Sequence, residues 1–483
     1  MPDAASATAG AGGSGSGSGP AMVAAFAELC SDPVVLALLA ACGATECHLV
    51  GGVLRDRALG LATHDLDAVV AGRGDEIAGE LAARLPARLV KLGGEDFAAY
   101  CLVLGAGGAS EAAALSGHRI LDLWDRQSLP LHDDLARRDF TINSFAFSPR
   151  GGEVVDPFGG LADLARRVLR ATTEHSFEGD PLRVLRLARL LAHLPGFSVE
   201  PDTIELARRA APRLPEVAAE RIREELRLLL SQPPSERSAA IGLRALATLD
   251  LYPGLWLGTA GASCGQGVAG GHGGREGAAA AERAAAELVA LPDCAGELER
   301  LLGMADARPA IDLAAAGYAA TFRQLPGAAA AATRAAVRMQ EAGYVSARQM
   351  SEIAPLLAEP AALPETELER RRFLHRHGRR WLTVACSWGG AAAAAGGAAR
   401  ERWRRAAAPL CELARRAGPE LIDPQRLLTG DDVQRLLGVA AGPRVGAALA
   451  ALTAAQVDGA VRTRDDAERF LRAFSLEPAG ETS

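Results

Sequence analysis

The sequence predicts an α+β protein: a small N-terminal head with a mixed β-sheet and helices, followed by an elongated, all-α remainder. Three observations carry this. The chain has 483 residues, which calls for several domains rather than one. From about residue 45 to 158, short apolar runs alternate with glycines, the pattern of strands and tight turns. After Leu161, apolar residues recur at i, i+3 and i+4 among many Ala, Leu, Arg and Glu, the pattern of amphipathic helices.

Residues 4–20 are almost all Ala, Gly and Ser, closed by Pro20, which cannot build a core, so residues 1–22 read as a disordered tail. The head then covers 23–160, with strands expected at 48–50, 66–70, 88–92, 100–104, 120–124 and 154–155, and helices near 75–85 and 130–146. A helical neck is expected over 161–232 and a helical body over 233–410, with a Gly-rich insertion at 258–277. A helical tail covers 411–483. A further Ala/Gly run at 389–399 is expected to divide the C-terminal third.

Composition excludes several functions. With 52 Lys+Arg against 59 Asp+Glu the net charge is −7, so the chain does not coat nucleic acid by bulk charge. Aromatics at 4% argue against a platform of exposed rings. Lys91 is the lone lysine and no GxxxxGK[ST] surrounds it, which removes a P-loop. No GxGxxG opens a βαβ unit, so a Rossmann enzyme is disfavoured. The eight cysteines show neither CxxC pairs nor zinc-site spacing, as in a reducing compartment. The first basic residue is Arg55, and the apolar stretch 33–41 is too short to span a bilayer. A cytoplasmic protein with no membrane partner is expected.

The chemistry concentrates in three clusters. In the first, His48-Leu49-Val50-Gly51-Gly52 ends a strand in a glycine pair, and Arg55 follows in the first turn of a helix. Exposed backbone N–H groups there can cradle phosphate, with Arg55 adding a fork, although such loops are also ordinary turns. Asp65 and Asp67 follow, two residues apart on a strand, so both carboxylates face one side. Two carboxylates on one face repel unless a cation lies between them, and hard oxygen donors suit Mg²⁺. Asp122, inside the apolar run 120–124, is the candidate third carboxylate, because an Asp there needs a partner. Asp125, Asp133 and Asp134 compete for that role from loop-like positions.

The second cluster, Arg137-Arg138-Asp139-Phe140-Thr141-Ile142-Asn143-Ser144, offers arginines for a triphosphate and Asp139 or Asn143 for a ribose; a salt-bridged helix face explains it equally well. The third is Glu178-Gly179-Asp180-Pro181-Leu182-Arg183-Val184-Leu185-Arg186. Asp followed by Pro is a good helix start. Asp180 and Arg183 also share one helix face. Together they set an acceptor beside a donor, which matches the amino group and ring nitrogen of cytosine and adenine and repels guanine and uracil.

In this order, LVGGVLRD…HDLD, RRDFTINSFAF, VDPFGGLADL, GDPLRVLRLAR and AAERIREEL resemble the class II nucleotidyltransferases of the DNA polymerase β superfamily, the bacterial CCA-adding tRNA nucleotidyltransferases and related poly(A) polymerases. The resemblance is dense over 46–230 and looser over 426–472. It implies that Asp65 and Asp67 bind two Mg²⁺ ions, with Asp122 the third catalytic carboxylate. Gly51, Gly52 and Arg55 would hold the triphosphate. Arg138 and Asp139 would contact phosphates and sugar, Asp180 and Arg183 would select the base, and Asn143 and Arg186 are further nucleotide-binding candidates. It implies ATP and CTP as substrates, the tRNA 3′ end as partner and an RNA-binding tail. All or part of CCA would be added without a template. Alternatives are a poly(A) polymerase, a CC-adding or A-adding enzyme, and a non-catalytic RNA-binding protein, which the intact Asp65 and Asp67 disfavour. Two departures stand out: Gly179 replaces the family's usual Glu before Asp180, and the connection from Asp122 to the second cluster is short.

Overall fold

The computed structural model describes residues 24–63, 65–92, 98–105, 120–194, 196–231, 238–249, 251, 273–302, 315–316, 318–320, 336–357 and 362–473. The expected tail 1–22 and most of the Gly-rich insertion 258–277 lie outside these residues. Contacts divide the chain into two compact units, Met1–Leu187 with Leu194–Ala210, and Ala188–His193 with Ala211–Ser483.

In the first unit, Asp32 caps helix α1 (Pro33–Cys42), its carboxylate accepting from Val34 N at 2.8 Å, with proline at the first position where no N–H is needed. Then come β1 (Cys47–Val50), α2 (Gly52–Ala58), β2 (Asp65–Val70), α3 (Gly74–Arg84), β3 (Ala87–Leu92), β4 (Ala98–Leu104) and β5 (Ile120–Asp125). They are followed by α4 (Leu131–Ala136), β6 (Ala146–Ser148), β7 (Glu153–Val155), α5 (Gly160–Arg166), β8 (Val168–Leu169), α6 (Arg183–His193), β9 (Ser198–Val199) and α7 (Pro201–Ala210).

Seven strands form one sheet in the order β3-β4-β5-β2-β1-β6-β7, with β2 and β5 parallel and the other pairs antiparallel. Alternation gives the sheet two faces. One carries Leu49, Leu66, Ala68, Val70, Leu102, Leu121, Leu123 and Phe147, which share a core with Val35 and Leu38 of α1 and Ile77 and Leu81 of α3. The other is only partly covered: Val50, Val69 and Ala146 pack with Leu135 of α4 in a smaller core, and the rest of that face carries the carboxylates.

All six expected strands are present. The helix expected at 130–146 is not: it stops at Ala136, turns once at Thr141–Asn143 and becomes β6. The apolar run Phe140–Phe147 is buried from several sides, so its spacing imitated a helix. No single described helix is long and apolar enough to cross a membrane. The residues Ala24–Ser31 and Pro33–Cys42 pass a combined length test, but they are bent by 73° and their Phe26, Leu29, Val34, Val35 and Leu38 lie in the head core.

Beyond the end of α6, the described residues of the second unit are mainly helical: α8 (Ala219–Ser231), α9 (Ser238–Thr248), α10 (Gly273–Leu302), α11 (Ala347–Ile353), α12 (Glu367–His377), α13 (Trp381–Ala394), α14 (Gly397–Ala417), α15 (Pro419–Ile422), α16 (Gly430–Leu437), α17 (Pro443–Asp458) and α18 (Arg464–Ala473). Helix α13 packs on α10 and α14, and Trp403 donates its indole N–H to the Ala385 carbonyl at 2.9 Å. The Ala/Gly run 389–399 is therefore no linker. Gly389 is a close-approach position, since a Cβ there would stand 2.7 Å from Trp403 and 2.9 Å from Cys294. Only Ala395 and Gly396 turn the chain between α13 and α14. The expected boundary after 410 likewise falls inside α14, and the one after 160 inside α5. Helices α16–α18 share a core of Leu428, Val433, Val445, Ala448, Leu452 and Leu471.

Candidate active site

The open face of the sheet gathers the first cluster. Asp65 and Asp67 lie on β2, and the strand register sets Asp67 between Val50 of β1 and Asp122 of β5, with Asp122 beside Cys101 of β4. Burial pushes the Asp67 carboxyl up to about 6. The Arg138 guanidinium and the Gly52 N–H pull it down, while the charges of Asp122 and Asp65 push it up. Asp122 is raised as well, by burial and by Asp65, against a hydrogen bond from the Cys101 thiol. Burial and the carboxylate hold that thiol at about 11, so it stays protonated and donates. Asp67 and Asp122, whose affinity for protons is raised by burial and by neighbouring carboxylates, are also placed to gain from a cation.

The glycine pair is required by this packing. Gly51 has φ +75°, and a Cβ on it would lie 2.7 Å from Asp67 Oδ2. The Gly52 N–H is directed at Asp67, so part of the loop's donor capacity serves the protein's own carboxylate. Arg55 is held the same way: its Nε donates to Asp56 Oδ1 and its Nη1 to Asn143 Oδ1, both at 2.8 Å.

Arg138 differs. It pairs with Asp134 at 3.2 Å and lies beside Asp67, yet its Nε is buried without a hydrogen-bond partner. An orphaned guanidinium N–H next to converging carboxylates is a donor awaiting an acceptor.

Asp139, the expected ribose contact, is bonded within the protein. It is 5% exposed, and its oxygens are filled: Oδ1 accepts from Phe140 N at 2.8 Å and Asn143 Nδ2 at 2.9 Å, and Oδ2 takes the Arg186 fork at 2.9 Å. Burial works against its charge, but Arg186, Asn143 and the Phe140 N–H hold it well below the usual carboxylate range. Asn143 and Arg186 are occupied by the same contacts.

In the third cluster Asp180 Oδ1 accepts from Leu182 N at 3.2 Å, as a helix cap should. Arg183 donates to the carbonyls of Ser176 at 2.6 Å, Arg138 at 3.2 Å and Arg137. This ties the third cluster to the second. Glu178 pairs with His175 at 3.0 Å, and a Cβ on Gly179 would meet nothing within 4 Å, so there is room for a larger residue.

Residues 47–170 match the family model described as the poly A polymerase head domain, and 196–255 match that of a probable RNA and SrmB-binding site of polymerase A. A CC-adding tRNA nucleotidyltransferase of Geobacter sulfurreducens is 32% identical, across 91% of this chain and 94% of that one. The chain belongs to the class II nucleotidyltransferases. An A-adding tRNA nucleotidyltransferase of Deinococcus radiodurans is 34% identical across 72% of this chain and 81% of its own. The solved structure of a Bacillus stearothermophilus CCA-adding enzyme with CTP, at 22% identity, shares the fold with a TM-score of 0.62 over 93% of this chain and 97% of that one.

This family of nucleotidyltransferases generally uses divalent metals. The donor set here fits one: hard oxygens of Asp65 and Asp67 on one face, with Asp122 in register and the proton affinity of Asp67 raised by burial and by its neighbours. Among the described residues, no group of three or more His, Cys, Asp and Glu is already gathered as a metal cluster. Residues missed in the sequence are Cys101, which donates to Asp122, and Gly160, whose added Cβ would lie 2.1 Å from the Thr141 carbonyl oxygen. Cross-strand register signals the first once the strands are paired; the second lies in the quoted VDPFGGLADL run.

Proposed function

We propose that this nucleotidyltransferase adds all or part of the 3′-terminal CCA to tRNA from CTP and ATP, without a template. The 3′-hydroxyl attacks the α-phosphate in line and pyrophosphate leaves. The observation that carries the reaction class is the Asp65–Asp67 pair facing Asp122 beside the orphaned Arg138 N–H. The tRNA substrate is supported by similarity to CC-adding and A-adding enzymes over most of the chain.

Asp65 and Asp67 would hold two Mg²⁺ ions, which when bound neutralise charge on the attacking and leaving oxygens. Arg138 donates to the phosphates from a position fixed by Asp134. Gly51 lets the loop approach closely, and Arg55 braces its helix. Asp180 and Arg183 present an acceptor and a donor to the base, with the guanidinium aligned by three backbone carbonyls. We assign residues 23–160 as head, 161–232 as neck, 233–410 as body and 411–483 as an RNA-binding tail, allowing that helices run through two of these borders. A cytoplasmic setting agrees with seven described cysteines, all free.

A second reading, partial addition, is favoured by the tight link from β5 to the second cluster, where Leu129 N donates to the Arg126 carbonyl at 2.9 Å and α4 follows at once. The test is incubation of tRNA ending at the base before CCA, after one C or after two, with each nucleoside triphosphate, followed by product sequencing. CC on the first substrate and nothing on the last marks a CC-adding enzyme. Long A-tails on unrelated RNA would instead support poly(A) synthesis. Asp65→Ala and Asp67→Ala are expected to abolish incorporation in folded protein; retained activity refutes the metal assignment.

A further inference from the structure

The segment Arg137–Ser144 is irregular, yet it is fixed on every side. Thr141 N donates to the Arg170 carbonyl at 2.9 Å, Thr172 N to the Asp139 carbonyl at 3.2 Å, and Thr141 Oγ1 to Asp163 Oδ2 at 2.7 Å. Through its middle runs an unbroken line of side chains. Arg55 Nη1 donates to Asn143 Oδ1 at 2.8 Å, Asn143 Nδ2 donates to Asp139 Oδ1 at 2.9 Å, and Arg186 Nε donates to Asp139 Oδ2 at 2.9 Å. The line joins helix α2, behind the glycine pair, to helix α6, which carries Arg183.

The chemistry of the line demands that donors and acceptors alternate. Arg is donor-only and ionised Asp is acceptor-only, so the residue between them must accept at one end and donate at the other. Asn143 does both with its amide in a single orientation, and at 6% exposure it has little water to substitute for either partner. An Asp at 143 would set two carboxylates against each other. An apolar residue would leave both neighbours short of a partner, at a cost typical of buried charged hydrogen bonds.

We propose that Asn143 and Asp139 are positioning residues. They lock the phosphate-loop helix to the base-reading helix, so selection among nucleoside triphosphates depends on a line of side chains that does not touch the base. The inference rests on the proposed nucleotidyl transfer and deepens it. The low proton affinity of Asp139, held down by Arg186 and Asn143 against burial, keeps the line charged throughout the working pH range. Arg183 adds a second tie by donating to the Arg137 and Arg138 carbonyls, so the turn that reads the base and the segment carrying the phosphate arginine move as one body.

The test compares wild type, Asn143→Asp and the swap Asn143→Asp with Asp139→Asn on tRNA lacking CCA, measuring kcat and KM for CTP and UTP separately. The single variant is expected to raise KM for CTP and to reduce CTP-over-UTP discrimination by about 10- to 100-fold, the range of a lost charged hydrogen bond. The swap moves the negative charge one place and rebuilds an Arg–Asp–Asn–Arg line, leaving the Phe140 N–H without its acceptor. It should recover discrimination by about tenfold. Discrimination within twofold of wild type in the single variant, or a loss the swap leaves untouched, overturns the proposal. Should Asn143→Asp fail to fold, Arg186→Lys serves, since it keeps the charge and loses the fork; a smaller loss of discrimination is expected and none refutes. Wild type that incorporates neither nucleotide sinks the functional reading instead.

Discussion

Replacing Asp67 by Asn is expected to stabilise the metal-free protein while abolishing catalysis. The carboxyl is raised from 3.8 to about 6, mainly by burial. In the folded state it therefore holds its proton up to about pH 6, but in the unfolded chain only to about pH 4. Between those values the folded state binds more protons, so this group's contribution to stability declines as pH rises and is fully lost above about pH 6. Two pH units correspond to about 3 kcal/mol, an upper bound because the side chain is only partly buried. A neutral Asn of the same shape removes that penalty and still accepts from Gly52. In EDTA at pH 7.5 the variant should melt several degrees higher, at roughly 2–4 °C per kcal/mol for a unit of this size. At pH 4.5 only about a third of that difference should remain. Added Mg²⁺ should raise the wild-type midpoint and leave the variant's almost unchanged. Thermal unfolding followed by circular dichroism at both pH values reads all of this. A variant less stable than wild type at pH 7.5, or a difference independent of pH, refutes the reasoning.

Three further outcomes follow from distances. Arg183→Ala should admit UTP and GTP in single-nucleotide incorporation assays, and it should also lower the melting midpoint, since it frees three carbonyls; unchanged specificity removes the pairing role. Gly160→Ala drives a Cβ to 2.1 Å from the Thr141 carbonyl, so a loss of about 2–4 kcal/mol in denaturant unfolding is expected. Gly179→Glu should fold with a midpoint within about 2 °C of wild type, because nothing crowds that Cβ; misincorporation of UTP should then fall if the new carboxylate steadies Arg183.

Residues whose roles follow from neighbours close in sequence were legible. The acidic pair could be placed because strand alternation alone puts Asp65 and Asp67 on one face, and Asp122 because a carboxylate inside an apolar run demands a reason. The bonding of Asp139 was not legible. The sequence shows an acid beside arginines, whereas the partner that fills its second oxygen, Arg186, is 47 residues away. The same holds for Arg55, whose acceptor on Asn143 is 88 residues distant. The helix expected at 130–146 failed because burial on several sides erases periodicity. The run 389–399 failed in the opposite sense: Gly389, which looks like punctuation, lets Trp403 and Cys294 come close.

Strand β2 occupies the fourth place of seven, bonded on both sides, so the crowded carboxylates cannot separate by bending an edge. This bears on how the fold diverges. A lineage released from nucleotide transfer would gain folding stability at once from a neutral residue at 67. The same lineage would meet a barrier at 139 and 143, whose loss leaves buried partners exposed to nothing. Decay of the activity should therefore begin at the centre of the sheet and leave the frame around it recognisable for a long time. A relative that retained Asn143 and Asp139 while lacking Asp67 would be a fossil of that order.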